Sequence, residues 1–147
     1  MIAPPSRLLL DTNVFILGFL DLDSPEGRIL RILVDHPDVT LILSDELVAQ
    51  IRRVARRTGG KDWAGYLLSR IWQDYPIEYV LVSADEKREL EAQADIPRED
   101  IGIYLAALRG QAECLVSANH ELVRQAAARQ HLFECLTPEE FLRTYLE

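Results

Sequence analysis

Three apolar segments of the sequence each end in a group of oxygen-bearing side chains. In chain order these groups are Asp11, Thr12 and Asn13, then Ser44, Glu46 and Gln50, then Ser117 and Asn119. A further carboxylate, Asp100, falls on the apolar stripe of a predicted helix, where a solvated charge is not expected. In open parallel sheets, sites form beyond the carboxyl ends of the strands. We therefore expect one pocket lined by Asp11, by Glu46 or Gln50, and by Asp100 and Asn119.

Such a cluster of oxygen ligands points to metal chemistry. Clustered carboxylates repel one another unless a cation neutralises them or one of them stays protonated. Sites made only of oxygen ligands suit Mg²⁺ or Mn²⁺. Such an ion activates a water molecule and stabilises charge that develops on a phosphoryl group. The residues therefore predict metal-assisted hydrolysis of a phosphoester.

Each candidate also has a purely structural interpretation. Asp11 could cap a helix with Asn13 nearby, and Asp100 and Glu46 could complement the dipole at a helix N-terminus. Asn119 and Ser117 could be capping residues as well. The prediction of a site thus depends on the convergence of these side chains and not on any one of them.

The elements that must position these residues alternate between strands and helices. Apolar, β-branched segments predict strands at 8–10, 39–43, 77–82, 113–117 and 132–136. Helical spacing, capping residues and prolines predict helices at 24–36, 45–57, 61–74, 84–94, 97–109 and 120–129, and a last helix from 138. This alternation predicts an α/β fold with a mainly parallel five-stranded sheet.

Length and composition limit the class of protein. The 147 residues, 48% of them hydrophobic, predict one globular domain over 1–147. The formal net charge of −8 excludes a broadly basic nucleic-acid coat. Cys114 and Cys135 have no metal-ligand spacing and are expected to be buried thiols. No segment is long enough for a membrane span, and we expect a cytoplasmic protein.

Two segments are candidates for contact with a partner. Four arginines are concentrated in one predicted helix, as Arg52, Arg53, Arg56 and Arg57. They are either a solvated helix face or a surface that holds the phosphates of a partner. The next helix carries an apolar and aromatic face, which is expected to pack in the core or to meet a partner protein or a second copy of the chain. That face consists of Trp63, Tyr66, Leu67, Ile71 and Trp72.

The same segments resemble the PIN domain family. LLLDTNVFILGF is similar to the family's opening strand, LILSDELVAQIRRVARR to its second block, and EDIGIYLAALRGQAECLVSANHEL to its third and fourth. The resemblance implies a three-layer α/β/α sandwich, Mg²⁺ or Mn²⁺, and endoribonuclease activity, as in the toxins of bacterial VapBC pairs. By position it implies metal ligation by Asp11 and Asp100, and site hydroxyls at Thr12 and Ser117.

Two positions depart from the family pattern. Gln50 stands where the second acid is usual, and Asn119 stands where the fourth is usual. Glu46, one helical turn before Gln50, is the carboxylate that could replace the missing second acid. Two hypotheses follow. The protein is a metal-dependent ribonuclease, or it is a catalytically weakened PIN-like domain that binds RNA or another protein.

Overall fold

The sheet consists of five short strands in the order β3-β2-β1-β4-β5. The computed structural model describes residues 2–93, 96 and 100–147. The strands are β1 (Arg7–Leu10), β2 (Thr40–Ser44), β3 (Ile77–Val80), β4 (Cys114–Val116) and β5 (Glu134–Leu136). All pairings between these described strands are parallel. The fold is the predicted three-layer α/β/α sandwich with a five-stranded parallel sheet.

Helices occupy most of the connections between the strands. They are α1 (Thr12–Leu20), α2 (Pro25–Leu33), α3 (Asp45–Gly59), α4 (Lys61–Asp74), α5 (Ala84–Ala92), α6 (Ile101–Arg109), α7 (His120–Arg129) and α8 (Pro138–Phe141), with a π-helical turn at Leu142–Leu146. Several begin where a local signal predicts it. The side chains of Ser24, Ser44 and Ser83 each cap the helix that follows them. Among the described helices, none combines the length and apolar character needed to cross a bilayer.

The strand order creates a crevice in the middle of the sheet. The chain runs from β1 outward to β2 and β3, and then returns to place β4 on the other side of β1. Right-handed connections therefore put the helices that follow β1 and β2 on one face and the helix that follows β4 on the other. The backbone N–H of Asp11 donates to the carbonyl oxygen of Val116 at 2.9 Å, which continues the β1–β4 pairing by one residue. Asp11 thus lies at the topological switch point, where ligands bind in such sheets.

The core lies against the central strands. Leu8, Leu9 and Leu10 are at most 1% exposed, so both faces of β1 are covered. Cys114 and Cys135 are buried free thiols, as expected, and burial raises the pKa of both, that of Cys135 to about 11. These thiols are therefore protonated and unreactive at neutral pH.

Helix α1 is the element that the periodicity missed. Val14, Phe15 and Ile16 are all buried, so the segment is apolar around much of its circumference and shows no polar face to identify a helix. Strands β3, β4 and β5 are one to two residues shorter at an end than predicted, whereas β1 begins one residue earlier and β2 is shifted by one residue toward the C-terminus. The predicted start of a helix at Pro97 lies outside the described residues, and the described helix α6 begins at Ile101.

The predicted apolar face of α4 is only partly in the core. Leu67 and Ile71 are fully buried and Trp63 is half-buried, but Tyr66 and Trp72 are 57% and 47% exposed. Helix α4 packs mainly against α3, which covers only part of the stripe. Its two outer aromatic side chains therefore remain at the surface.

Candidate active site

A pocket of about 470 Å³ opens at the switch point of the sheet. Most of the polar residues predicted from the sequence line it together. Its lining consists of Asp11, Thr12, Asn13, Ile16, Leu17, Gln50, Arg53, Val54, Arg57, Asp100 and Asn119. The pocket draws on the start of α1, the middle of α3, the start of α6 and the start of α7. The loops after β1 and β4 and the rotation of α3 thus determine its chemistry.

Asp11 is held in the pocket by three hydrogen bonds. It is 4% exposed, and its Oδ1 accepts a hydrogen bond from the backbone N–H of Thr12 at 2.7 Å. Its Oδ2 accepts from the hydroxyl of Ser117 at 2.8 Å and from Nδ2 of Asn13 at 3.4 Å. Asp11 is therefore both the N-cap of α1 and a pocket carboxylate, and the two interpretations open from the sequence are compatible.

The protonation of Asp11 reflects a competition between burial and hydrogen bonds. Burial raises the pKa of Asp11 above its ordinary value of 3.8, and the hydrogen bonds from Ser117, Thr12 and Asn13 lower it by less. The ionised form of the Asp11 carboxylate is therefore less stable than that of a solvated aspartate. A cation in the pocket would relieve this cost.

Ser117 and Asn13 hold the Asp11 carboxylate in place through hydrogen bonds. Besides donating to Asp11, the Ser117 hydroxyl oxygen accepts from the backbone N–H of Asn119 at 3.0 Å and from Nδ2 of Asn13 at 3.3 Å. The Oδ1 of Asn13 accepts from the backbone N–H of Ala118 at 3.0 Å. These bonds join the loop after β4 to the start of α1. They hold the Asp11 side chain in one orientation.

Asp100 enters the pocket from the N-terminus of α6. It is 7% exposed, so the inward orientation predicted from its place on the helical stripe is present. Nδ2 of Asn119 donates to Oδ2 of Asp100 at 3.1 Å, while Oδ1 of Asn119 accepts from the backbone N–H of Leu122. Asn119 is therefore a helix cap and a partner of the second carboxylate at once.

Gln50 reaches the pocket from the first half of α3. Its Oε1 accepts a hydrogen bond from the hydroxyl of Thr12, the residue after Asp11. The amide thus lies close to the first carboxylate, where the family pattern has an acid. It presents a neutral oxygen at that point, without negative charge.

Glu46 does not line this pocket, so its position does not support the hypothesis that it replaces the missing second acid. Its Oε2 lies 3.5 Å from Nζ of Lys87 on α5, and its carboxylate lies over Gly102 of α6. A Cβ at Gly102 would be 1.6 Å from that oxygen. One helical turn separates Glu46 from Gln50, about 6 Å along the axis of α3. That distance carries Glu46 past the pocket and toward α5.

Arg53 and Arg57 line the pocket, whereas Arg52 and Arg56 do not. Gln50, Arg53 and Arg57 are spaced i, i+3 and i+7, which puts them on one face of α3. This spacing is a signal in the sequence that a site at Gln50 would include these two arginines. Within the described part of the chain, neither guanidinium has a carboxylate within 4.0 Å.

The arrangement thus combines two buried carboxylates, two side-chain amides and two exposed guanidinium groups. In residues 2–93, 96 and 100–147, no cluster of three or more histidine, cysteine, aspartate or glutamate side chains could hold a metal ion. Among the described residues, Asp11 and Asp100 are the carboxylates that line the pocket, so an ion held there would take negative ligands from them. The guanidinium groups are suited to bind an anion beside them.

Comparison with known sequences identifies the fold family. A sequence model described as PIN domain matches residues 7–121, which is most of the chain and includes every residue that lines the pocket. No curated protein sequence matches the chain.

Comparison with solved structures gives likenesses over nearly the whole chain. VapBC2 from Rickettsia felis, solved bound to a DNA fragment from its promoter, has a TM-score of 0.64 and 17% identity over 89% of this chain and 98% of that one. VapC20 from Mycobacterium tuberculosis, described as a sarcin-ricin loop cleaving toxin, has a TM-score of 0.56 and 11% identity over 85% and 97%. PAE2754 from Pyrobaculum aerophilum has a TM-score of 0.62 and 14% identity over 93% and 88%. At these identities the likeness concerns the fold.

Proposed function

The chain belongs to the PIN domain family, and from this premise we propose that it hydrolyses RNA phosphodiester bonds with a divalent metal ion held by Asp11 and Asp100. The observation that carries the proposal is the composition of one pocket. Two buried carboxylates and the exposed guanidinium groups of Arg53 and Arg57 line the same cavity. Carboxylates attract a metal cation and guanidinium groups attract phosphate, so the pocket is suited to bind both at once.

The pocket fits Mg²⁺ or Mn²⁺ by its donors. Its polar side chains near Asp11 and Asp100 offer only oxygen and amide groups, which suits hard divalent ions. Mg²⁺ commonly binds through one or two carboxylates together with water and substrate phosphates. The raised pKa of Asp11, caused by burial, is a second argument, because a nearby cation would stabilise its ionised form. Two acids therefore suffice for a site of this kind.

The other side chains of the pocket position the two carboxylates and bind the substrate phosphates. Ser117 and the Thr12 backbone fix the Asp11 carboxylate, and Asn119 fixes the Asp100 carboxylate. Arg53 and Arg57 bind the phosphates that flank the scissile bond. A bound divalent ion would supply a water of lowered pKa and neutralise charge on the phosphoryl group.

A second candidate function is RNA binding without efficient cleavage. The observation that favours it is the contact between Gln50 and Thr12, which puts a neutral amide where the family pattern has an acid. With Asn119 also neutral, the pocket has fewer negative charges with which to hold an ion. Such a protein would still bind phosphates through Arg53 and Arg57.

We further propose that the chain is the toxin of a toxin–antitoxin pair and acts in the cytoplasm. Two of the structures with the same fold are described as VapBC2 and as a VapC toxin. Expression of the chain alone should arrest bacterial growth, and co-expression of a small neighbouring reading frame should relieve the arrest. Growth that is unaffected by induced, folded protein would contradict the toxin proposal. A homo-oligomer and a partner surface on α4 remain predictions.

The experiment that tests the nuclease is RNA cleavage with excess Mn²⁺ or Mg²⁺ by the wild type, Asp11→Asn and Gln50→Glu. We expect cleavage by the wild type that falls at least 100-fold in Asp11→Asn and disappears with a chelator. If the wild type is inert and Gln50→Glu is active, the missing carboxylate is the cause and the RNA-binding function is favoured. If all three proteins cleave RNA equally, the assignment of the active site to the pocket around Asp11 is wrong.

A further inference from the structure

A second concave surface lies on α3 beside the pocket. Ala49, Arg52, Arg53 and Arg56 line it. Arg53 lines both cavities, so the two are continuous across one guanidinium group. The second surface carries positive charge on a chain whose formal net charge is −8. Such local charge of the opposite sign favours a polyanion at this place.

Beyond this surface lies an exposed pair of stacked aromatic rings. The ring centroids of Trp72 and Tyr79 are 6.1 Å apart with an angle of 22° between the planes, and the two residues are 47% and 45% exposed. Stacked rings at the surface of a soluble fold are suited to contact another flat group, because their apolar faces gain by leaving water.

The aromatic pair lies next to the arginines of α3. Tyr79 of β3 pairs with Leu43 of β2, and α3 begins two residues later at Asp45. Burial and Asp45 raise the pKa of Tyr79 while Arg52 lowers it, so the charge of Arg52 acts on the phenol. The carboxylate of Asp45 is a negative charge close to Tyr79 at this end of the surface.

We propose that single-stranded RNA runs from the pocket over Arg53 to Arg52 and Arg56, and that one base stacks on Trp72 and Tyr79. This inference rests on the proposed function, and it adds the surface outside the pocket that holds the strand. Guanidinium groups that follow a backbone, together with aromatic rings that take bases, are the combination by which proteins bind single strands without reading sequence. A duplex keeps its bases stacked inside and cannot use the rings.

The structure allows a direct optical test. The chain has two tryptophans, so Trp63→Phe leaves Trp72 as the only one. This variant is titrated with a 12-nucleotide single-stranded RNA in EDTA, which prevents cleavage, and Trp72 fluorescence is recorded. We expect quenching by the single strand and none by the matching duplex. In the same background, Arg52→Ala with Arg56→Ala and Tyr79→Ala should each weaken binding about tenfold.

Matched controls separate stacking from a loss of structure. Tyr79→Phe keeps the ring and should bind like the parent. Tyr66→Ala and Arg143→Ala remove an exposed ring and an exposed charge elsewhere and should also bind like the parent. Trp72 fluorescence that is unchanged at saturating RNA, or equal losses in Tyr79→Ala and Tyr66→Ala, would overturn the proposal. So would a dimer of the chain, seen by sedimentation, whose formation shifts Trp72 emission to shorter wavelength.

Failure of this inference can be distinguished from failure of the proposed nuclease activity. In the Trp63→Phe background, Asp11→Asn should retain quenching and lose cleavage. If RNA quenches Trp72 but the parent does not cleave, the RNA surface stands and the nuclease fails. If cleavage depends on Asp11 and Trp72 does not respond, the nuclease stands and this inference fails.

Discussion

Nδ2 of Asn119 donates a hydrogen bond of 3.1 Å to Oδ2 of Asp100, and this contact takes the place of a repulsion between two acids. The family pattern has a carboxylate at position 119, which would need a cation to lie so close to Asp100. With an amide there, Asp100 accepts a hydrogen bond from the side chain at position 119. The same substitution lowers the charge available to hold an ion.

Asn119→Asp should therefore make the protein more dependent on metal. Aspartate keeps the N-cap of α7, but it replaces a donor to Asp100 by a like charge. We expect a loss of about 1–2 kcal/mol of stability in EDTA and a larger rise in Tm with Mn²⁺ than in the wild type. Thermal unfolding with and without Mn²⁺ measures both. Ala127→Glu, which adds a charge at an exposed position elsewhere on α7, is the control. An equal Mn²⁺ response in both variants would contradict the placement of Asn119 at the metal.

Glu46→Gln should leave RNA cleavage within about twofold of the wild type. Glu46 contacts Lys87 and lies outside the pocket, and an exposed ion pair contributes about 0–1 kcal/mol. Asp100→Asn, assayed in parallel, should reduce cleavage at least 100-fold. A tenfold loss in Glu46→Gln without a change in Tm would show that this carboxylate does reach the reacting phosphate.

Asp11→Asn should gain stability relative to the wild type as the pH rises. Burial raises the pKa of Asp11 above 3.8, so the folded state holds its proton more tightly than the unfolded state. The stability that this proton contributes is complete below about pH 4 and is lost as the pH rises through the raised pKa. Asparagine has no such loss. Urea unfolding in EDTA at pH 4 and pH 7 measures the change. A variant-minus-wild-type difference that is constant, or that falls toward pH 7, would refute the prediction.

Arg53→Ala with Arg57→Ala should weaken RNA binding and its dependence on salt. Each phosphate contact with a single strand contributes about 0.7 to the slope of log affinity against log salt, so the double variant should lose about 1.4. Fluorescence anisotropy at several salt concentrations in EDTA gives the slope. Arg143→Ala should leave it unchanged. A double variant with the wild-type slope would exclude these arginines from the RNA surface.

Much of the fold follows from local patterns in the sequence. Ser24, Ser44 and Ser83 mark helix starts because each side chain satisfies a backbone N–H of its own helix, an interaction within a few residues. The strands are recognised because segments buried on both faces must be apolar throughout. The parallel sheet predicted in this way is confirmed, and so are the PIN domain family and the three-layer sandwich that the resemblance implied. The extent of the domain over 1–147 stays a prediction.

The composition of the site was partly determined by the sequence as well. Asp11, Gln50, Asp100 and Asn119 line one pocket, as expected, because parallel strands end at one edge of the sheet. Their roles in metal binding and catalysis are still predictions.

Tertiary packing alone decided which side chains of a helix reach the pocket. The sequence puts Glu46 and Gln50 on one stripe of α3, and it puts the four arginines on two neighbouring stripes. Only the position and rotation of α3 against the sheet bring Gln50 and Arg53 to Asp11 and leave Glu46 beside Lys87. Packing also buries Val14, Phe15 and Ile16 of α1 and leaves Trp72 exposed. The physical reason is that helical periodicity fixes angles around an axis, whereas contacts between distant segments fix where that axis lies.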